Sequence, residues 1–293
     1  MSLWISSGAF KTKNLEQMLC CARMHGLTNV ELSSGMGYHP ETQRLLNEEI
    51  KSGTQNFLVH NYFPAPNDSF VLNIASLDPE GLNKTRSFGA QAIKLAAKLG
   101  APFYSIHAGF AANLKPEHLG RPGHLADALN ADDIDRDRAY EVMIETTRQL
   151  SAQAADYGLN LLVENNVISP VFLKKLPINP LLLTEAHEIL QFFKDVDRPN
   201  VGLLMDVAHT RVSATAQGWS AELFVELVQD HVSCLHLSDN DGLRDNNQPI
   251  NRESWFLPFI KEFNNCEIVV EVYDLEPEEM HQQLSLVQDN LNL

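Results

Sequence analysis

The sequence predicts an α/β protein, a single (β/α)8 barrel spanning residues 1–293, on three observations. Strand-like and helix-like segments alternate from one end of the chain to the other. Several of the strand-like segments, "LLV" and "IVV" among them, are continuously apolar, which suits a parallel sheet covered on both faces by crossover helices. The alternation also runs to eight units in 293 residues, and eight favours a closed barrel over an open doubly wound sheet.

The first unit joins "LWISSGAF" (3–10) to a helix over 15–26, and the second joins "NVELSSG" (29–35) to a helix over 41–53. "FLVHNYF" (57–63) leads through a polar loop to a helix over 79–99, stopped by Gly100. "PFYSIHAGF" (102–110) precedes a long loop and a helix over 135–157, again ended by a glycine, Gly158. "NLLVENNV" (160–167) runs into a Pro-containing insertion, 168–182, and then a helix over 184–195. "VGLLMDVAH" (201–209) precedes a helix over 220–230, and "VSCLHLSDN" (232–240) one over 253–263. "EIVVEVYD" (267–274) with a helix over 276–290 completes the eight. No linker or low-complexity tract interrupts them. The loop over 110–133 is longer than most connections and is expected to lie over the barrel mouth.

Composition narrows the function. Hydrophobic residues make up 44% and charged residues 20% of the chain, as in a globular protein with a full core. No apolar run is long enough to span a bilayer, and the N-terminus has no basic region followed by an apolar stretch, so neither a membrane span nor a secretory signal is expected. Cys20, Cys21, Cys234 and Cys266 lack CxxC spacing and fall in apolar segments, which suggests buried thiols in a reducing cytoplasm. The net charge of −16 disfavours nucleic acid, whose phosphates need clustered Lys and Arg. Neither GxGxxG after the first strand nor GxxxxGK[ST] anywhere is present, so the two common nucleotide loops are missing.

Chemistry enters where the strands end. The third ends in His60, the fourth in His107, the fifth in Glu164, the sixth in Asp206 with His209 close behind, the seventh in His236 and the eighth in Glu271. In a parallel barrel these ends share one face, the face where active sites of such barrels sit. Taken singly, each has a bland reading. A histidine on an apolar strand is usually a satisfied core residue, Asp206 alone closes a turn, and His209 alone caps a helix or stays solvated. Glu164 and Glu271 resist that reading, because each follows three apolar residues and a buried carboxylate needs a partner.

The spacing supports a joint site. Glu164 and Asp206 are 42 residues apart, Asp206 and His236 are 30, and His236 and Glu271 are 35. Each step is close to one βα unit of roughly 30 residues, the first lengthened by the insertion. Four ligands at one layer of strand ends converge on a point. Three carboxylates and one imidazole make an oxygen-rich set suited to a divalent ion, Mn2+, Mg2+ or Co2+, with Zn2+ also accommodated.

The pieces "LVHNYF", "SIHAGF", "LLVEN", "LLMDVAH", "LHLSDNDG" and "VVEVY", in this order, resemble the xylose isomerase-like TIM barrel superfamily. That group holds sugar and sugar-phosphate isomerases and epimerases, together with the endonuclease IV repair enzymes. The resemblance implies that Glu164, Asp206, His236 and Glu271 hold one divalent ion, and that Glu164 and Glu271 serve as acid and base on opposite faces of a small carbohydrate through an enediolate. It further implies substrate contacts for His209, Arg244 and His107, and allows a homo-oligomer. The endonuclease branch is the alternative, a metal-dependent phosphodiester hydrolase acting on abasic DNA. For it, His60 and His107 with Glu164 bridging would make a second metal site. A third would need a histidine where Asn247 stands, two residues after Asp245, and asparagine is a poor ligand for zinc.

Three lesser features are read as structural or solvated. His39 in "GYHPE" is expected to close a turn, and Tyr62, Phe63 and Phe70 to pack against the rim. His118 and His124 are expected at the surface of the long loop.

Overall fold

Eight strands form in sequence order and close on themselves in a computed structural model that describes residues 2–116, 129, 134–176 and 178–291. They are β1 (Leu3–Ser6), β2 (Asn29–Leu32), β3 (Asn56–His60), β4 (Phe103–His107), β5 (Asn160–Glu164), β6 (Val201–Asp206), β7 (Val232–Leu237) and β8 (Glu267–Val270). All neighbours are parallel, and β8 returns to β1 by pairing Ile268 with Leu3, Val269 with Trp4 and Val270 with Ile5. The expected barrel is the observed fold.

The helices are α1 (Leu15–Met24), α2 (Thr42–Ser52), α3 (Pro79–Leu99), α4 (Arg136–Ala155), α5 (Pro170–Lys175), α6 (Ala186–Val196), α7 (Val207–Gln217), α8 (Ala221–Val228), α9 (Leu257–Ile260) and α10 (Pro277–Leu291). Their starts follow from local chemistry. The Asn14 side chain accepts the Gln17 N–H, Asp78 accepts that of Gly81 ahead of an N-terminal proline, and Asp135 accepts that of Arg138. In α3, Thr85, Phe88, Gly89, Ala92, Ile93 and Ala96 are buried, the three-and-four spacing of one helical face against the barrel. Gly100 then ends the helix with φ of 73°, a left-handed turn that glycine adopts without a Cβ clash.

Four expectations change. The first strand stops at Ser6 because Ser7–Ala9 form a 3-10 turn. The insertion contains α5, capped by Ser169 with Pro170 in its first turn. The sixth strand stops at Asp206, and Val207 opens α7, a helix the sequence reading omitted. The helix expected over 253–263 shrinks to α9 and a 3-10 turn, because Pro258 has no N–H to give a preceding turn and is tolerated only at a helix start.

Cys234 and Cys266 are buried as expected, but Cys20 is exposed and Cys21 half-buried. The buried face of α1 is Leu15, Met18, Leu19 and Ala22, which turns position 20 outward. His118 and His124 lie outside the described residues. Among the described residues no helix is long and apolar enough to cross a membrane.

Candidate active site

Parallel register sets the depth of each side chain. His107 pairs with Glu164 across β4 and β5, and Asp206 pairs with His236 across β6 and β7. Glu164 itself pairs with Leu204, so Asp206 stands two residues further along its strand. Glu271 likewise lies two residues past the partner of His236, just beyond β8. The rim climbs from strand to strand, and side chains from different strands meet over the barrel interior.

Asp206 occupies the junction of β6 and α7. One oxygen caps the helix, accepting the His209 N–H at 2.8 Å, while the other is buried with no hydrogen-bond partner. Strand end, helix cap and unpaired buried oxygen are therefore one residue. His209, a turn later, donates from Nδ1 to the Asn165 carbonyl at 2.8 Å and places Nε2 3.2 Å from Asp245 and 3.7 Å from Asp206.

Glu164 lies between two groups of imidazoles. Its Oε2 is 3.3 Å from His60 Nε2 and 3.2 Å from His107 Nε2, and its Oε1 is 3.7 Å from His236 Nδ1. His236 is fully buried, with Nδ1 3.0 Å from Glu271 and Nε2 3.0 Å from Glu31. Ligand atoms of Glu164, Asp206, His236 and Glu271 all lie within 4.8 Å of one another, and so do those of His60, His107 and Glu164.

These residues fit a divalent ion on their own chemistry. Glu164 Oε2, Asp206 Oδ2 and Glu31 Oε1 are buried without a hydrogen-bond partner. Burying a carboxylate oxygen unpaired is expensive, and several together repel one another, so these oxygens favour a cationic partner. A cation held by Glu164, Asp206, His236 and Glu271 would be that partner.

The proton affinities record the same strain. Burial raises the Glu164 carboxyl well above its ordinary value and pushes Asp206 up to about 6. Burial and the neighbouring imidazoles lower His60, and lower His107 to about 3. For His209 and His236 burial also favours the neutral ring, yet it is outweighed by Asp206 and Asp245 in one case and by Glu31 and Glu271 in the other, so both rise.

Above the cluster opens a cavity of about 320 Å3, lined by Glu164, Glu271, His60, His107 and His209 together with Asn166, Asp245 and Tyr273. Asp206 and His236 are fully buried and not part of its wall. Arg244 is exposed and outside the lining, held in a loop whose Asp241 accepts its N–H at 3.0 Å; its neighbour Asp245 turns inward instead. Asn247, with φ of 44°, donates to the Glu271 carbonyl at 3.0 Å and braces the end of β8. His39 serves the turn, its Nδ1 accepting the Glu41 N–H and its carbonyl the Thr42 hydroxyl. Tyr62 stacks on Phe88, accepts the Phe70 N–H, and packs with Phe70 against the core where Phe63 is buried.

Sequence reasoning passed over Glu31, Asn166 and Tyr273. Glu31 had a visible signal, a carboxylate inside a strand rather than at its end. Asn166 and Tyr273 had only proximity, each two residues beyond a glutamate.

The family model described as a xylose isomerase-like TIM barrel matches residues 21–286. The solved structure of a D-tagatose 3-epimerase-like protein superposes with a TM-score of 0.71 at 18% identity, covering 100% of this chain and 97% of that one. A D-psicose 3-epimerase from Clostridium cellulolyticum, solved with D-tagatose, gives 0.69 at 14% identity with 100% and 98% covered. A Thermus thermophilus protein soaked with ZnCl2 gives 0.64 at 19% identity, again with 100% and 98% covered. No curated protein matches the chain.

Proposed function

Since the chain belongs to the xylose isomerase-like TIM barrel family, we propose that it is a divalent-metal-dependent isomerase or epimerase of a small sugar or sugar phosphate. The observation that carries this reading is the meeting of ligand atoms of Glu164, Asp206, His236 and Glu271 within 4.8 Å of one another, at a cavity that the two glutamates also line.

When bound, a divalent ion there supplies positive charge beside the carbonyl and adjacent hydroxyl oxygens of an α-hydroxy carbonyl sugar. The chain's own groups do the rest. Glu164 rises from the end of β5 and Glu271 from just past β8, so they approach a sugar in the cavity from different strands. One removes the proton on the carbon next to the carbonyl, and the other returns a proton to carbon. His107 and His209, whose rings line the cavity wall, contact the sugar from that side.

The family's endonuclease branch is the competing reading, and one observation favours part of it: His60, His107 and Glu164 form a second ligand group. Against the whole of it stand the net charge of −16 and the engagement of Asn247 with the Glu271 carbonyl. The test is metal content of the purified protein, followed by a panel of free and phosphorylated ketoses in deuterium oxide and a parallel abasic-DNA assay. Bound divalent ion with deuterium entering a ketose supports the proposal. Abasic-site cleavage without ketose exchange overturns it.

A further inference from the structure

Glu31 has no part in the chemistry above, yet it is a carboxylate at 0% exposure in the interior of the barrel. It reaches from β2 to His236 on β7, and those strands are not neighbours in the closed sheet. Its Oε2 is 3.0 Å from His236 Nε2, and its Oε1 has no hydrogen-bond partner. A buried carboxylate needs a compelling partner, and this imidazole edge is the hydrogen-bond partner it has among the described residues.

The other edge of the same ring faces the ligand cluster. His236 Nδ1 is 3.0 Å from Glu271 and 3.7 Å from Glu164. A metal-ligating histidine must offer an unprotonated nitrogen, and its remaining N–H is commonly held by a carboxylate that fixes tautomer and ring orientation. The two edges of His236 divide those tasks between them. We propose that Glu31 is a positioning residue which accepts the Nε2 proton of His236 and so presents Nδ1 to the divalent ion at Glu164, Asp206 and Glu271. This rests on the metal reading given above.

A competing use exists for the same atoms. Ligand atoms of Glu31, His60 and His236 also lie within 4.8 Å of one another, so Glu31 could be a ligand itself, and the His236 nitrogen facing it is Nε2. The two uses demand opposite nitrogens of His236 and are separable by experiment. The full-length protein labelled with 15N-histidine and loaded with Zn2+ should show His236 protonated on Nε2 and coordinated through Nδ1, with assignment from the signal lost in His236→Gln. Coordination through Nε2 overturns the proposal, and this measurement needs no Glu31 variant to fold. In Glu31→Gln, Zn2+ affinity should fall by about 10- to 100-fold with the number of bound ions unchanged. Unchanged affinity, or loss of a whole equivalent of zinc, overturns the role of Glu31 while leaving the metal reading intact. A wild-type protein that takes up no zinc overturns both.

Discussion

Asp206 divides its two carboxylate oxygens between a helix and the ligand cluster, and the division can be tested by substitution. Asn keeps a side-chain oxygen for the His209 N–H, whereas Ala keeps none. Both Asp206→Asn and Asp206→Ala should lose divalent-metal uptake. Without metal, the Ala variant should be about 1 kcal/mol less stable than the Asn variant, as for loss of an N-cap. Equal urea midpoints for the two metal-free variants would show that the cap does not matter there. For the glutamates the expectation concerns rate. Glu164→Gln and Glu271→Gln should each lower turnover of the ketose found active by about 100-fold or more, the scale of a lost general base or acid. Near-normal turnover in either variant with metal bound would defeat the two-carboxylate scheme and leave a hydride shift between adjacent carbons as the better account.

Elements fix the wall of the cavity through two buried asparagines. Asn73 accepts the N–H groups of Ala75 and Phe110 at 3.0 Å each and donates to the Phe110 carbonyl at 2.8 Å. Asn166 donates to the carbonyls of Ala108, Gly109 and Leu182 at 2.9 to 3.0 Å. Together they tie the segments after β3, β4 and β5 around Gly109, where a Cβ would stand 2.2 Å from that of Ala75 and 2.7 Å from its backbone nitrogen. Gly109→Ala must therefore push the loops apart, at a cost of about 1 to 3 kcal/mol for overpacking. A thermal midpoint indistinguishable from wild type would refute that. None of this was legible in the sequence, because hydrogen bonds from a loop side chain to distant carbonyls leave no periodic trace. The strands were legible, since continuous apolar runs and capping residues are local. The helix α7 was hidden for a related reason. Asp206 read as a ligand and His209 as a substrate contact at a strand end, which masked the aspartate's second identity as an N-cap. Glu31 was hidden because it sits one residue inside β2, between Val30 and Leu32, and not at a strand end where the other acids of the cluster lie.

At the scale of the whole molecule, the charge buried in the barrel couples stability to pH and to metal. Without an ion, Glu164, His209 and His236 hold their protons more tightly folded than unfolded, while His60 and His107 hold theirs less tightly. Well above the ordinary histidine value of 6.5 the lowered pair stops contributing, because those rings are neutral in both states. The raised groups remain. The folded chain then binds more protons than the unfolded one, so stability falls as pH rises. The chelator-treated protein should have a lower urea midpoint at about pH 8.5 than at about pH 7.5, and added divalent metal should recover more stability at the higher pH because the ion displaces protons. A midpoint that rises between those pH values without metal would contradict the assignment. The convergence of the site was legible further than its details, since the strand ends marked the side chains that meet there, while Arg244, expected at the substrate, lies in the exposed loop that sends Asp245 inward.

The closure of β8 on β1 carries a consequence for the order in which the protein becomes competent during its synthesis. Seven strands emerging from the ribosome already carry Glu31, His60, His107, Glu164, Asp206 and His236. Glu271 follows β8, which has β1 and β7 as its two neighbours. A nascent chain stalled before residue 267 thus has three of the four proposed ligands and an open sheet, and cannot form the complete pocket. Metal would be acquired after translation of the eighth strand, and the earlier histidines and acids would await it in a chain still dependent on its last unit.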